Sequence, residues 1–374
     1  MADSGPGPDI GATAGIDSGI AAELAALTLE LCRIPSETLH EAEIAAWVER
    51  RCVAATSVRA VKRIGSSVVC DPCAADPQGA ALLVIALVGH LDTVKCADDQ
   101  EYVLRDGRVY GCGASDMKAG VAVMLALLDR WRELGGARPV WIFYDGEEGP
   151  SEGNGLQPVL DSGVLPPLDF AFILEPTDQG LQPGCMGTMQ ATVTVRGVRA
   201  HSARPWQGEN AIYRALPLLQ RLAGLERRPV TLGELVFYEV TVVTGAATFN
   251  SKNVVPDVLE LNVNVRFAPG RTGAEAEAEL RALVGDAGEV VVTDCAPSGE
   301  VHLDHPLIHA WRVREGLRVA PKQAWTDVAR FTSNSIPAVN FGPGETAQAH
   351  QANEWCSVPS LESCYAALRR FFTA

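Results

Sequence analysis

Five short stretches of this chain carry His, Asp or Glu where a metal ion or a proton could be handled. They are V-G-H-L-D-T-V with His90 and Asp92, G-C-G-A-S-D-M-K-A-G with Asp116, Y-D-G-E-E-G with Glu147 and Glu148, I-L-E-P-T with Glu175, and A-Q-A-H-Q-A-N-E with His350. Most follow a short apolar run of the kind that makes a buried strand. Two imidazoles with several carboxylates form a hard-to-borderline ligand set. It suits a pair of divalent ions, zinc first, with cobalt or manganese as alternatives. Two such ions about 3.5–4 Å apart can activate a shared water for attack on an amide. The pattern reads first as a binuclear metallohydrolase.

Each residue taken alone has a plainer reading. In H-x-D, Asp92 is near enough to accept the second ring N–H of a metal-bound His90, but His90 alone would be a strand-end histidine. Asp116 sits in a Gly-rich loop ahead of a helix, where it could bridge two ions or cap the helix. Glu147 and Glu148, adjacent after a strand, repel each other and call for a cation or a proton. One can bind metal while the other carries a proton from the attacking water to the leaving amine. Glu175 follows F-I-L and precedes Pro176, at the edge of a core. His350 lies in a Gly/Ala-rich loop after I-P-A-V-N-F. Together the five stretches support one another. Elsewhere, A-H-S-A-R-P holds His201, Ser202 and Arg204, and Asn250, Asn253 and Arg266 follow it. Arg and Asn suit a substrate carboxylate, whereas turn chemistry around Pro256 would also account for the asparagines.

These residues need a scaffold. Apolar periodicity predicts a helix from about Asp17 to Cys32 and another starting at Thr38, where T-L-H-E forms a capping box with Glu41. Strands are predicted near 66–70, 81–88, 140–144 and 170–174, with a helix from Met117 to Trp131 between them. Alternating strands and helices argue for an α/β fold, a sheet with helices on both faces. Ligands in such sheets bind beyond the carboxyl ends of the strands, where His90, Glu147, Glu148 and Glu175 fall. Ligand spacings of 26, 32 and 27 residues from His90 to Glu175 are followed by a gap of 175 to His350. An inserted domain at 186–297 accounts for the gap and leaves a catalytic domain in two parts, 1–185 and 298–374. The insert reads as the strand T-M-Q-A-T-V-T-V-R-G, a helix near 208–224, strands near 235–243 and 258–267, a helix near 272–284 and a strand near 289–293. This β-α-β-β-α-β order is that of a ferredoxin-like α+β unit.

Bulk properties narrow the partners. A chain of 374 residues suggests two domains. A net charge of −15 argues against nucleic acid. The insert holds 11 Lys+Arg against 12 Asp+Glu, a net of −1, so the remainder carries −14. Positive charge concentrated there could serve an anionic substrate. The first 16 residues read as a loose tail, without a basic start followed by an apolar stretch. The longest apolar run, Ala80 to Val88, is well short of the roughly 18–20 residues that span a bilayer. A cytoplasmic protein without a membrane partner is expected. Ten cysteines in a chain this long do not suggest a disulfide framework. The lone C-x-x-C at Cys70 and Cys73 reads as a hairpin turn between V-V and A-L-L-V-I, and Cys112 and Cys185 as small buried fillers.

The segments H-L-D-T-V, G-x-x-D-M-K-A-G, D-x-E-E, E-P-T and the late Ala-His, in this order, resemble the aminoacylase/carboxypeptidase family of binuclear zinc amidohydrolases, from about residue 25 to the end. Three more stretches are similar to its actinobacterial branch that removes succinyl from N-succinyl-LL-2,6-diaminopimelate: 200–212, 262–271 and the W-T-D-V-A-R-F to G-P-G-E region of 325–345. The resemblance implies that His90, Asp116 and Glu175 hold one zinc, that Asp116, Glu148 and His350 hold the other, and that Glu147 is the general acid/base. It further implies that Asp92 orients His90. His201 would stabilise the oxyanion, reaching in from the smaller domain of a partner subunit. Asn253, Arg266 and Thr326, with Arg204, would contact the substrate, a small anionic N-acyl amino acid. A homodimer through the small domain follows from the same resemblance. Departures include the Gly-rich G-P-S-E-G-N-G after Glu148, Lys252 in T-F-N-S-K-N, and Q-A-N-E-W-C after His350. These touch acyl and amino-acid specificity, so another N-acyl-amino-acid deacylase, such as an acetylornithine deacetylase, and a metallo-carboxypeptidase or dipeptidase stay open. A non-catalytic binding protein on the same fold is opposed by the presence of Glu147 and all five ligands.

Overall fold

The computed structural model describes residues 19–73 and 82–374; the expected tail over 1–16 lies outside them. A seven-stranded mixed sheet carries the ligand motifs. Its strand order is Val61–Ile64, Ser67–Cys70, Arg138–Tyr144, Val84–His90, Phe170–Ile173, Ala338–Asn340, Gln182–Pro183. The four strands from Arg138–Tyr144 to Ala338–Asn340 run parallel. Side chains alternate across them, as a pleated strand requires. Leu87, Trp141, Phe143, Phe170 and Phe172 enter a core shared with helices Ile20–Arg33, Ala42–Ala55, Ala119–Leu128 and Val358–Thr373. Ala86, Val88, Val140, Ile142, Ala171 and Ile173 enter the opposite core, under helices Leu156–Asp161 and Val328–Ser333. Helices therefore cover both faces, and the near-continuous apolar runs follow from burial on both sides. The helix Ala119–Leu128 is buried along its whole length, which explains why its sequence is apolar all round. In register, His90 stands opposite Tyr144. The parallel strands thus deliver His90, the Glu147–Glu148 turn and Glu175 to one edge.

A second sheet, of five antiparallel strands, has the order Arg228–Leu232, Leu235–Ala247, Val258–Phe267, Gly187–Arg196, Glu289–Ala296. Helices Ala211–Ala223 and Gly273–Val284 cover one face and enclose a separate apolar core. The element order is the expected β-α-β-β-α-β, with the edge strand Arg228–Leu232 in addition. The strand Gly187–Arg196 buries alternate residues. Met189, Ala191, Val193 and Val195 face the helices, so Thr188 and Gln190 lie on the other face.

Several local expectations need correction. The second helix begins at Ala42 and no capping box forms. Leu39 adopts a positive φ of 74°, which breaks the helix. The Thr38 hydroxyl donates instead to Asp92 Oδ2 at 2.9 Å. The helix expected over Met117–Trp131 starts at Ala119, because Asp116 and Met117 have non-helical backbone angles, and ends at Leu128, with Trp131 in a separate short turn. The Cys70–Cys73 segment is not a hairpin turn. The strand Arg138–Tyr144 lies between Ser67–Cys70 and Val84–His90 and pairs with both. Cys112 is not a simple filler, since it forms a disulfide with Cys96. A small sheet of Val103–Arg105, Arg108–Tyr110 and Trp355–Ser357 folds the chain back and brings the two cysteines together. Cys185 is buried as expected.

Candidate active site

His90 ends its strand fully buried. Its Nδ1 lies 3.0 Å from the Asp92 backbone oxygen and 3.5 Å from Asp92 Oδ1. That pairing leaves Nε2 to face the site, 3.3 Å from Asp116 Oδ1 and 3.8 Å from Glu175 Oε1. The other Asp116 oxygen, Oδ2, lies 3.7 Å from His350 Nε2. Asp116 thus stands between two histidines and offers one oxygen to each. His350 Nε2 also sits 3.0 Å from Glu148. Ligand atoms of His90, Asp116 and Glu148 all lie within 4.8 Å of one another.

The backbone around these groups is held from behind. Glu354 accepts the N–H groups of Gly113, Ser115 and Asp116 at 2.7, 2.7 and 2.8 Å. Gly113 has a φ of 77°, which only glycine adopts without cost. Asp116 does not cap the following helix, whose N-cap is Lys118. Its side chain is therefore free for the site. His350 itself has a φ of 61°, rare for a non-glycine residue and typical of functional positions.

The electrostatics call for cations. Burial pushes Glu147 well above the carboxylate range, with Glu175 and Glu148 adding to the rise against the pull of His90. Burial likewise raises Glu175 to about 7, with repulsion from Asp116 adding to it. The hydrogen bond to Glu148 lifts His350 to about 9. Glu175 Oε1 is buried without a hydrogen-bond partner. So many carboxylates cannot all ionise in a dry pocket unless positive charge joins them. The donor set fits divalent metal ions, and the orphaned Glu175 oxygen is an open ligand position.

The site opens into a cleft of about 830 Å³ between the two sheets. Asp116, Glu147, Glu148, Glu175 and His350 line its large-sheet side. Thr188, Gln190, Arg266 and Asp294 line the small-sheet side. They share one face of that sheet, because Arg266 pairs with Thr188 and Asp294 with Gln190.

Of the substrate contacts expected from the sequence, the structure brings Arg266 into the cleft. Thr326 lies next to the cleft residue Trp325, buried and with its hydroxyl unpartnered. His201, Arg204 and Asn253 meet one another but do not line the cleft of their own chain. His201 accepts the Ala203 N–H through Nδ1, Arg204 N–H donates to the His201 carbonyl, and Ser202 N–H to that of Asn253. All three are exposed. Sequence reasoning missed Glu354 and Lys322. Glu354 lies four residues after His350, inside a stretch already singled out. Lys322 carried no pattern that could have marked it.

The signature of peptidase family M20/M25/M40 matches residues 86–374. A succinyl-diaminopimelate desuccinylase of Corynebacterium glutamicum is 36% identical over 361 residues, which cover 93% of this chain and 95% of the relative. A Mycobacterium tuberculosis protein assigned as succinyl-diaminopimelate desuccinylase is 36% identical over 349 residues, or 92% and 96% of the two chains. Among solved structures, a Staphylococcus aureus tripeptidase has a TM-score of 0.76 at 20% identity, covering 94% of this chain and 98% of its own. A dinuclear metal-binding peptidase of Bacillus subtilis has a TM-score of 0.65 at 18% identity, covering 95% and 97%. The solved structures share the fold, and the two relatives extend the likeness to sequence over nearly the whole length. With its His, Asp and Glu cluster gathered at the carboxyl ends of parallel strands, the chain belongs to peptidase family M20/M25/M40, a family of metal-dependent hydrolases.

Proposed function

We propose that the protein hydrolyses the amide bond of an N-acyl amino acid, with N-succinyl-LL-2,6-diaminopimelate as substrate and succinate and LL-2,6-diaminopimelate as products. The observation that carries this reading is the cleft itself. It sets an acidic, ligand-rich wall against Arg266 on the small sheet, so that a substrate with a carboxylate beyond its amide finds a cation away from the reacting bond. The 36% identity to desuccinylases over most of the chain supports the same substrate.

His90, Asp116 and Glu175 would hold one divalent ion and Asp116, Glu148 and His350 the other, with zinc the first choice and cobalt or manganese alternatives. Bound ions would supply Lewis-acid charge stabilisation and water activation. Glu147 takes a proton from the attacking water on its carboxylate and returns it to the leaving nitrogen. Its burial suits that role, because desolvation raises the carboxyl and makes its carboxylate a stronger base toward the water's proton. Asp92 holds the turn that places Glu147. Arg266 binds a substrate carboxylate through its fork of N–H groups, and Thr326, whose hydroxyl is unpartnered, would be a further substrate contact.

The segment 186–297 acts in this proposal as a lid and dimerisation domain inserted between 1–185 and 298–374. His201, Arg204 and Asn253 would serve the cleft of a partner subunit in a homodimer. Their exposure, away from their own cleft, supports that reading. No described helix is long and apolar enough to cross a membrane, and a cytoplasmic enzyme is the setting proposed.

The test is a substrate panel on metal-loaded protein: succinyl-diaminopimelate, acetylornithine, other acyl amino acids and dipeptides. The highest kcat/KM is expected for succinyl-diaminopimelate. A clear preference for acetylornithine or for a dipeptide would reassign the substrate while keeping the chemistry.

A further inference from the structure

Lys322 is buried to 5% exposure in the wall of the cleft, on the segment between the helix Pro306–Glu315 and Trp325. A lysine is rarely buried unless its charge is used. Its Nζ donates to the Pro176 carbonyl at 2.8 Å and lies 3.8 Å from Glu175 Oε2. The other Glu175 oxygen, Oε1, is buried without a hydrogen-bond partner and lies 3.8 Å from His90 Nε2. The two oxygens of one carboxylate are therefore divided. One faces an ammonium, the other the histidine of the ligand cluster. The same ammonium ties down the next residue, Pro176, whose ring already restricts the Glu175 backbone.

We infer that Lys322 is a positioning residue for Glu175, holding Oε2 so that Oε1 alone is presented to the ion that His90 and Asp116 would share. This rests on the reading of those three residues as ligands. A glutamate left free could offer either oxygen or both, and would lose rotamer freedom on ion binding. The ammonium removes that choice beforehand. Partners that orient a metal ligand typically contribute about 10–100-fold to metal affinity.

The test uses calorimetric titration of Zn²⁺ into chelator-stripped protein. Wild type is compared with Lys322→Met, Lys322→Gln, Lys322→Arg, Glu175→Gln and the double variant Lys322→Met/Glu175→Gln. Thermal denaturation first establishes that each variant is folded; if Lys322→Met is not, the Gln and Arg variants carry the comparison. Wild type is expected to take up two ions. Lys322→Met should weaken one of them by roughly 10–100-fold and leave the other unchanged. Lys322→Arg, which keeps the charge, should recover most of the loss. In the Glu175→Gln background, Lys322→Met should have no further effect. Two ions bound by Lys322→Met as tightly as by wild type would overturn the inference. So would an undiminished effect in the Glu175→Gln background, or a raised KM with ion binding untouched, which would make Lys322 a substrate contact. Failure of wild type to bind any divalent ion would instead sink the metallohydrolase reading and remove the basis for this inference, a result distinct from either of the others.

Discussion

Asp92 grips the turn between Glu147 and Glu148. Its Oδ1 accepts the N–H of Glu147 and its Oδ2 that of Glu148, each at 3.0 Å, while its backbone carbonyl lies 3.0 Å from His90 Nδ1. One residue thus sets the ring of His90, the backbone of Glu148 and the position of Glu147. Although burial works against ionisation, the hydrogen bonds to His90 and the two N–H groups hold Asp92 below the usual carboxylate range. Asp92→Ala should therefore lower divalent-ion affinity by about 10–100-fold and reduce turnover beyond that loss. Equilibrium dialysis, followed by assay at saturating metal, separates the two effects. Full turnover once metal is saturating would confine Asp92 to the ligands alone.

Glu147→Gln should leave the ion content unchanged and lower turnover by about 10²–10⁴-fold. Glu147 lies outside the cluster of His90, Asp116 and Glu148 whose atoms could hold an ion. Metal analysis and single-turnover kinetics on the same preparation give the answer. Near-normal turnover would require the proton to be handled elsewhere.

Ion binding should weaken in acid. His350 must lose its proton to serve as a ligand, and the Glu148 hydrogen bond sets that loss at about 9. Glu175 must also be ionised, and burial raises it to about 7. Both shifts are upward, so both groups hold protons at pH values where ordinary His and Glu would not. Affinity is expected to fall as pH drops through 9 and to fall more steeply through 7, with protons released on binding. Calorimetry in buffers of different ionisation enthalpy counts those protons. An affinity that is flat between pH 6 and 9 would contradict the expectation.

Glu354 is the rear support of the Asp116 loop. Replacing it with Ala would leave the N–H groups of Gly113, Ser115 and Asp116 without their acceptor. Each buried donor left unmet costs about 1–3 kcal/mol. Glu354→Ala should lower the thermal midpoint strongly, and Glu354→Gln, which keeps one acceptor oxygen, by less. Equal stability of all three proteins would show that water replaces the carboxylate.

His201 makes the sharpest demand on the proposed dimer. His201→Ala should lower turnover by roughly 10²–10³-fold, the worth of one oxyanion donor, with metal content unchanged. Mixing inactive His201→Ala with inactive Glu147→Gln should restore activity once subunits exchange, because one site of the mixed dimer then has both residues. No recovery despite proven exchange would mean that His201 works within its own subunit or not at all.

The sequence by itself marked the His, Asp and Glu stretches that the fold gathers, and their order, because metal chemistry selects residue types and the apolar runs before them mark strands by local pattern. It also determined the β-α-β-β-α-β order of residues 186–297, whose period-two and helical patterns are local. Only the tertiary structure placed Asp116 between His90 and His350, which are far apart in the chain. It also put Glu354 behind the Asp116 loop, and aimed Lys322 at Glu175. It turned Thr38 from a helix cap into a donor to Asp92 and paired Cys96 with Cys112. It left His201 outside its own cleft. None of these relationships repeats with a helical or strand period. They arise where loops from separate strands converge at one sheet edge, and that convergence is set by strand order and by packing of both cores rather than by any stretch of neighbouring residues.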